Sequence, residues 1–293
     1  MSSENRNSTT THARTYDFDV VPANNFTYPE LTDTYNRSRV DYIIPMPMSV
    51  NKMREYVQVY DVDLQLSVVA VEDDTTLGLG MLGKRGSNTW ITRLGVVPNG
   101  RKRGVGGAIM HYLVERSREI NAKQIILEVI KNNEPAEVLF KKYGFEIIRE
   151  LLVIKRPPQP INVITHGIYI DVLSHQEALD LLCTRRDMPS WVSANDSMFN
   201  AGELSALWAD FDDGSQGWLV YQDTVLQLAR LVIQTIEGDF NRVATGLLQH
   251  LHWRHAVQGT ISENLPISDR HWPTFQDMGY SIAFSRIEML LNL

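Results

Sequence analysis

Between Trp90 and Gly144 the sequence constrains its own architecture more tightly than anywhere else. An apolar strand-like run ending Leu94-Gly95-Val96-Val97-Pro98 leads into Arg101-Lys102-Arg103-Gly104-Val105-Gly106-Gly107, and the helical pattern Ile109, Leu113, Val114, Ile120 follows at once. The glycines therefore stand where strand turns into helix. Gly104, Gly106 and Gly107 let the backbone approach a ligand with no side chains in the way. The first N–H groups of a helix lack intrahelical acceptors, and the helix dipole makes them a seat for an anion such as pyrophosphate. Arg101, Lys102 and Arg103 read either as a solvated basic turn or as contacts to those phosphates.

The stretches on either side set the order of elements. Tyr16 to Val21 alternates like a strand, Tyr28 to Arg37 suits a helix, and Ser49 caps a second helix in which Met53, Tyr56, Val57 and Tyr60 share a face. The period then changes from 3.6 to 2. Leu64 to Glu72, Leu77 to Leu82 and Thr89 to Val97 read as an antiparallel meander entering the glycine loop. After the loop helix, Gln124 to Ile130 is a nearly continuous apolar run, as in a buried strand. Asn133-Glu134-Pro135 starts another helix, which ends at Gly144 before a strand to about Ile154.

Arg101-x-x-Gly104-x-Gly106 after Leu94-Gly95-Val96-x-Pro98, followed by Leu127-Glu128-Val129 and Asn133-x-x-Ala136-x-x-Leu139-Phe140-x-Lys142-x-Gly144-Phe145, resembles the GNAT superfamily of N-acetyltransferases. A dinucleotide-binding Rossmann unit would put its glycines after the first strand, whereas three antiparallel-looking strands precede these. The resemblance covers about 55 residues closely and is compatible with roughly Tyr16 to Arg156. It implies acetyl-coenzyme A as donor, with its pyrophosphate on the amides from Arg103 to Gly107, Val105 included. It also implies backbone contacts from Leu94 and Val96 to the pantetheine arm and thioester, because in this family the strand before the loop splays from its neighbour. Asn133 would then hydrogen-bond the pantetheine, cap its own helix, or do both. Phe140 stands in the coenzyme-facing helix where many relatives carry a tyrosine that protonates the departing thiolate. Phenylalanine has no proton to give, and Tyr143, three residues on, points about 60° away around the helix.

Amine acetylation needs a deprotonated acceptor nitrogen. Glu128 sits in an otherwise apolar strand, so its carboxyl must face a cleft or a buried partner. The resemblance to relatives that acetylate protein N-termini makes it the candidate base; a structural ion pair is the alternative. Asp41, Tyr42, Met46 and Tyr56 fall in the helical region that walls the acceptor cleft in relatives, where packing roles are equally open.

Lys155-Arg156-Pro157-Pro158-Gln159-Pro160 breaks regular structure and divides the 293 residues into two halves of ordinary domain size. Expected are a Ser/Thr/Asn-rich disordered lead-in over residues 1–15, an acetyl-coenzyme A-binding domain over 16–156, and a second domain over 157–293. In the second half, Gly167 to Leu173, Gly217 to Gln222, Val225 to Ile236 and Ala256 to Ser262 read as strands. Ser174 caps a helix from Gln176, and Asn241 to Trp253 forms another. Asn264-Leu265-Pro266 through Gly279-Tyr280 echoes Asn133-Glu134-Pro135 through Gly144-Phe145, an internal repeat. Where the glycine loop should recur stands Glu237-Gly238-Asp239-Phe240-Asn241, whose carboxylates repel phosphate. The expected fold is thus mixed α/β: two tandem GNAT-like units of mostly antiparallel sheet flanked by helices, the second degenerate and without coenzyme.

Composition narrows the function further. Apolar residues make up 43% and charged residues 22%, so a large core can form. The net charge of −7 argues against a nucleic-acid partner. The sequence has neither a bilayer-length apolar run nor a signal-peptide core, so a cytoplasmic protein without membrane partners is expected. The single cysteine, Cys183, reads as an inert core thiol and excludes cysteine-based metal clusters; His250, His252 and His255 read as surface histidines, so no metal is expected. Two functions remain: an N-acetyltransferase acting on a primary amine of a small molecule or peptide through a ternary complex, with a homodimer allowed, or an acetyl-coenzyme A-binding sensor or scaffold without turnover.

Overall fold

The computed structural model describes residues 17–163 and 166–293. The lead-in expected over residues 1–15 lies outside them. The first half runs β1 (Asp19–Pro22), α1 (Tyr28–Ser38), α2 (Val50–Val59), β2 (Val62–Glu72), β3 (Thr75–Arg85), β4 (Asn88–Val96), α3 (Val105–Glu119), β5 (Gln124–Ile130), α4 (Glu134–Lys142) and β6 (Glu146–Arg156). The second runs β7 (Ile168–Leu173), α5 (His175–Cys183), α6 (Asn195–Asn200), β8 (Ser205–Phe211), β9 (Gln216–Asp223), β10 (Gln227–Glu237), α7 (Phe240–Arg254), β11 (Gly259–Pro266), α8 (Trp272–Asp277) and β12 (Ser281–Asn292).

The local causes are those the sequence offers. Thr27 and Glu30 form a capping box at α1, Ser174 and Glu177 another at α5, and Ser49 caps α2 through the Lys52 amide. The strand pattern is missed at β8, where Ser205, Ala206, Ala209 and Asp210 carry little β signal, and the short helix α6 is missed with it.

All twelve strands join one sheet in the order β1-β2-β3-β4-β5-β12-β6-β11-β10-β9-β8-β7. Adding six to each first-half strand number turns this order into its own reverse, so the halves are two copies of one mixed α/β unit related by an approximate twofold between β6 and β12. The neighbours β4 and β5, and their counterparts β10 and β11, run parallel; the other pairs are antiparallel. The final strand of each half crosses into the other. β12 pairs with β5 and adds Met289 to the core under α3, while β6 pairs with β11 and adds Leu152 and Ile154 to the core under α7. Trp90 and Trp191 stack across the halves at 5.7 Å between centroids, and Trp191 Nε1 donates to the Tyr60 carbonyl at 2.9 Å.

Three sequence expectations are corrected here. Cys183 is exposed at the end of α5 rather than in the core. His252 is buried rather than at the surface, hydrogen-bonded to the Tyr280 hydroxyl at 2.9 Å, and burial beside the Arg156 charge pushes it down to about 3. Asn264-Leu265-Pro266 belongs to strand β11 and does not start a helix; α8 begins at Trp272, because β11 stays paired with β6, across a register shift between Ser262 and Leu265, as far as Pro266.

Candidate active site

β4 and β5 pair from Asn88↔Gln124 to Ile91↔Leu127 and then part. The cause is a bulge in β4: Met81 pairs with Thr92 and Leu79 with Gly95, which leaves extra length at Arg93 and Leu94, with Arg93 in the left-handed region at φ 52°. Bulges add twist, and here the twist opens a wedge. A cavity of about 450 Å³ occupies it, lined by the aromatic residues Tyr56, Tyr60 and Trp90, by Thr92, and by the charged Glu128, Arg286, Glu263 and Arg230. Tyr42 and Met46 also line it; Asp41 does not.

Glu128 is the first residue of β5 past the last pair with β4. Asn264 Nδ2 donates to its Oε1 at 2.8 Å, and Arg286 Nη1 lies 3.6 Å from Oε2. Burial pushes the carboxyl up to about 7, against the pull of Arg286 and Asn264. Its partners, Asn264 on β11 and Arg286 on β12, both come from the second half. Glu263 also faces the cavity and pairs with Arg286 at 2.7 Å; burial works against its charge, but Arg286, Arg93 and Arg230 hold it below the usual carboxylate range. Tyr56 donates to or accepts from Thr92 Oγ1 at 2.5 Å, and burial raises its hydroxyl.

The glycine loop adopts the expected turn. Gly104 sits at φ 90°, where only glycine is unstrained, and is the N-cap of α3 without a side-chain cap. The amides of Val105, Gly106 and Gly107 are thus left without intrahelical acceptors. A Cβ on Gly107 would meet nothing within 4 Å, so this helix end faces open space. Arg101 is held by Asp41 at 2.6 and 2.7 Å, and its Nε donates to the Val96 carbonyl at 3.1 Å. Arg103 is paired with Glu72. Lys102 is exposed, with a left-handed backbone at φ 61°. The Leu94 carbonyl accepts from Arg39 Nη2 at 3.2 Å.

Asn133 makes no side-chain cap on α4; its Nδ2 donates instead to the Tyr42 hydroxyl at 3.2 Å. Phe140 is buried against Phe145 in the core beneath the loop. The Tyr143 hydroxyl donates to the Gly107 carbonyl at 2.6 Å, at the far end of the wedge from Glu128.

The second half repeats the wedge in closed form. β10 and β11 pair from Gln227↔Gly259 to Ala229↔Ile261, and a bulge puts Arg230 at φ 55°. Only about 40 Å³ remains there, lined by Arg185, Asp187, Pro189 and Ser193 of the segment between α5 and α6. At the N-terminus of α7 the Asp239 carboxylate accepts from the Arg242 amide at 2.7 Å, where a bound anion would have to sit.

Sequence reasoning brought out Glu128, Tyr42, Met46 and Tyr56 but passed over Arg93, Arg230, Glu263, Asn264 and Arg286. The argument applied to Glu128, an ionisable residue in an apolar strand, would have found the four charged ones. Among the described residues no His, Cys, Asp or Glu group could hold a metal, and no helix is long and apolar enough to cross a membrane.

Residues 29–145 match the model of the acetyltransferase (GNAT) family. No curated protein matches the sequence. Among solved structures, the chain is similar to a GCN5-related N-acetyltransferase from Sphaerobacter thermophilus, with TM-score 0.71 and 14% identity over 94% of this chain and 96% of that one. It is also similar to a tandem GNAT protein from the clavulanic acid biosynthesis pathway, with TM-score 0.67 and 14% identity over 94% and 98%. A third is the glucosamine N-acetyltransferase region of a fungal multi-domain GH3 β-N-acetylglucosaminidase, with TM-score 0.74 and 16% identity over 94% of this chain and 38% of that one. At these identities the likeness is one of fold.

Proposed function

We propose, from the premise that this chain belongs to the acetyltransferase (GNAT) family through residues 29–145, that it moves an acetyl group from acetyl-coenzyme A to a primary amine held in the β4–β5 wedge. One observation carries the reading: the strands part after Ile91↔Leu127, and the next residue of β5 turns a carboxyl titrating at about 7 into a cavity of small-molecule size. A base poised near neutrality is what removal of an ammonium proton requires.

The residues present fit the donor. The Val105, Gly106 and Gly107 amides are free of side-chain caps, and at Gly107 the helix end opens to space, as a pyrophosphate needs. Leu94 and Val96 wall the donor's path on β4, Asn133 and Phe140 on α4. Lys102 is the loop cation without an ion-pair partner among the described residues, while Arg101 and Arg103 serve first to fix the loop through Asp41 and Glu72. Acetyl-coenzyme A supplies the activated acyl group as its thioester. Glu128 takes the proton from the acceptor ammonium and passes it to solvent, the C–N bond forms as the C–S bond breaks, and the nitrogen gives up its second proton to the Glu128 carboxylate, which again passes it to solvent. Phe140 offers no acid, so the Tyr42 hydroxyl, which opens onto the cavity beside Asn133, protonates the departing sulfur and recovers its proton from water.

The second half keeps the architecture with the Asp239 carboxylate at its helix end and a filled wedge, which supports a single donor site per chain. Its contribution to the first site is Asn264, Arg286, Glu263 and Arg230. Incubation with acetyl-coenzyme A and a panel of primary amines, following free thiol, tests the reading: acceptor-dependent thiol release is expected. Coenzyme binding with no such release across the panel would leave a binding protein instead of an enzyme.

A further inference from the structure

The charges lining the wedge do not balance. Arg286 stands against both carboxylates on its side of the cavity, the exposed Glu263 at 2.7 Å and the buried Glu128 at 3.6 Å. Lys52 and Glu55 stand exposed at the rim and offset each other. That leaves Arg39, Arg93 and Arg230, none of which makes an ion pair among the described residues; Arg39 is turned onto the Tyr42 ring and donates to the Leu94 carbonyl at 3.2 Å, so Arg93 and Arg230 remain. Arg93 lies 4.0 Å over the Tyr56 ring and donates to the Tyr35 hydroxyl at 3.1 Å; its Nε is buried with no acceptor. Arg230 lies over the Tyr60 ring, donates to the Tyr60 hydroxyl at 3.1 Å and to Gln222 at 3.2 Å. Tyr56 and Tyr60 touch edge to face, with centroids 4.7 Å apart, so the two guanidiniums rest on adjoining rings of one aromatic cluster.

The placement is repeated by the fold. Each arginine is the left-handed residue of the bulge that opens its own half's wedge, at φ 52° and 55°. Left-handed backbone is unfavourable for an ordinary L-residue, and a cation with no direct ion pair, sharing only the more distant Glu263 carboxylate, adds to that cost. In a chain of net charge −7, two such cations facing one cavity are a local reversal of sign. An anion there would meet the charge of both guanidiniums and gain from the low dielectric of the aromatic walls.

We propose that the acceptor is a small amine that also carries an anionic group, a carboxylate or a phosphate monoester, held by Arg93 and Arg230 while its amine faces Glu128. This rests on the acetyl-transfer reading for the identity of the amine as acceptor, but binding of the anion does not depend on turnover. It makes the two halves share the acceptor: Glu128 and Arg93 come from the first and Arg230 from the second.

The test is a set of matched pairs that differ in the anion: L-tryptophan and tryptamine, L-phenylalanine and phenethylamine, L-lysine and cadaverine, glucosamine 6-phosphate and glucosamine. Binding to the full chain is measured by calorimetry, and thiol release is followed separately. At least one anionic member is expected to bind tenfold or more tighter than its partner. Whether the carboxylate pairs or the phosphate pair show the preference identifies the anion. Arg93→Gln and Arg230→Gln should each weaken that member by roughly ten- to a hundredfold and leave its uncharged partner unchanged, with Arg230→Lys recovering part of the loss. If a variant fails to fold, the wild-type pairs still decide. No preference in any pair, no binding by any anionic member, or equal losses for both members in the variants would overturn the proposal. Anionic amines that bind without thiol release would sink the acetyl-transfer reading and leave this one standing; turnover of uncharged amines with no preference would do the reverse.

Discussion

Asn264 Nδ2 donates to Glu128 Oε1 at 2.8 Å, a hydrogen bond between the second half of the chain and the candidate base of the first. Arg286 completes the link, donating from Nη1 to Asn264 Oδ1 at 2.6 Å while standing 3.6 Å from the Glu128 carboxylate. The titration of Glu128 is therefore set jointly by burial in its own strand and by two residues on strands from the other half.

The rate should follow that titration. With Glu128 at about 7, kcat/KM rises with pH on an acidic limb centred near pH 7, because only the carboxylate accepts a proton. Glu128→Gln should flatten the limb and lower kcat by about 10²–10⁴-fold. A limb of the same midpoint surviving in the variant would assign it to another group.

The same residue costs stability above its ordinary range. Its folded value exceeds the unfolded one, so between about pH 4.5 and 7 the native state binds more protons and stability falls as pH rises. Full expression of the displacement from 4.5 to about 7 is worth about 3 kcal/mol at most. Glu128→Gln, which can still accept from Asn264, should therefore melt higher relative to wild type at pH 8 than at pH 5. Thermal unfolding at the two pH values checks this; a constant difference would contradict it.

Asn264→Gly removes the donor without backbone strain, since Asn264 holds φ 62°. Without the hydrogen bond that favours the carboxylate, the Glu128 limb should move to higher pH. An unmoved midpoint with a lower rate would show that Asn264 orients Glu128 without tuning it.

At the loop, wild type should bind one coenzyme A per chain by calorimetry. Gly107→Asp enters open space at a helix start, where an acidic side chain favours the helix by about 0.3–1 kcal/mol, so the fold should hold while coenzyme affinity falls at least tenfold. Asp239→Ala should lose about 1 kcal/mol of capping without creating a second coenzyme site. Two sites in wild type would refute the single-donor reading.

Tyr42→Phe keeps the ring under Arg39, whose Cζ lies 3.9 Å from its centroid, and removes only the hydroxyl. Coenzyme affinity should change little and kcat should fall about tenfold or more, most with acceptors whose attack is fast. An unchanged kcat would assign thiolate protonation to solvent.

Much of the first half is legible along the chain because its signals are local. β5 is read to the residue, the Ser49 cap and the Ser174–Glu177 box are where they should be, and the glycine loop turns as its spacing requires. Asn133 illustrates the limit. A favoured cap residue before a proline satisfies the local rule, yet its side chain goes to Tyr42, which is 91 positions away and invisible to spacing. Cys183 and His252 were misplaced for a similar reason: helical periodicity tells which residues share a face and not which helix end is left uncovered.

By itself the sequence determined that one half carries a glycine loop free of caps at its helix start and the other a loop capped by its own aspartate, since glycine and aspartate at a helix start act through chemistry that needs no distant partner. It also determined that the same order of elements occurs twice. Only the tertiary structure decided that β6 and β12 change places, that Asn264 and Arg286 therefore reach Glu128 while Arg230 reaches its cavity, and that one wedge stays open while the 184–194 segment fills the other. Strand pairing over more than a hundred residues leaves no periodic trace, because each strand shows its apolar face equally to any partner of matching register.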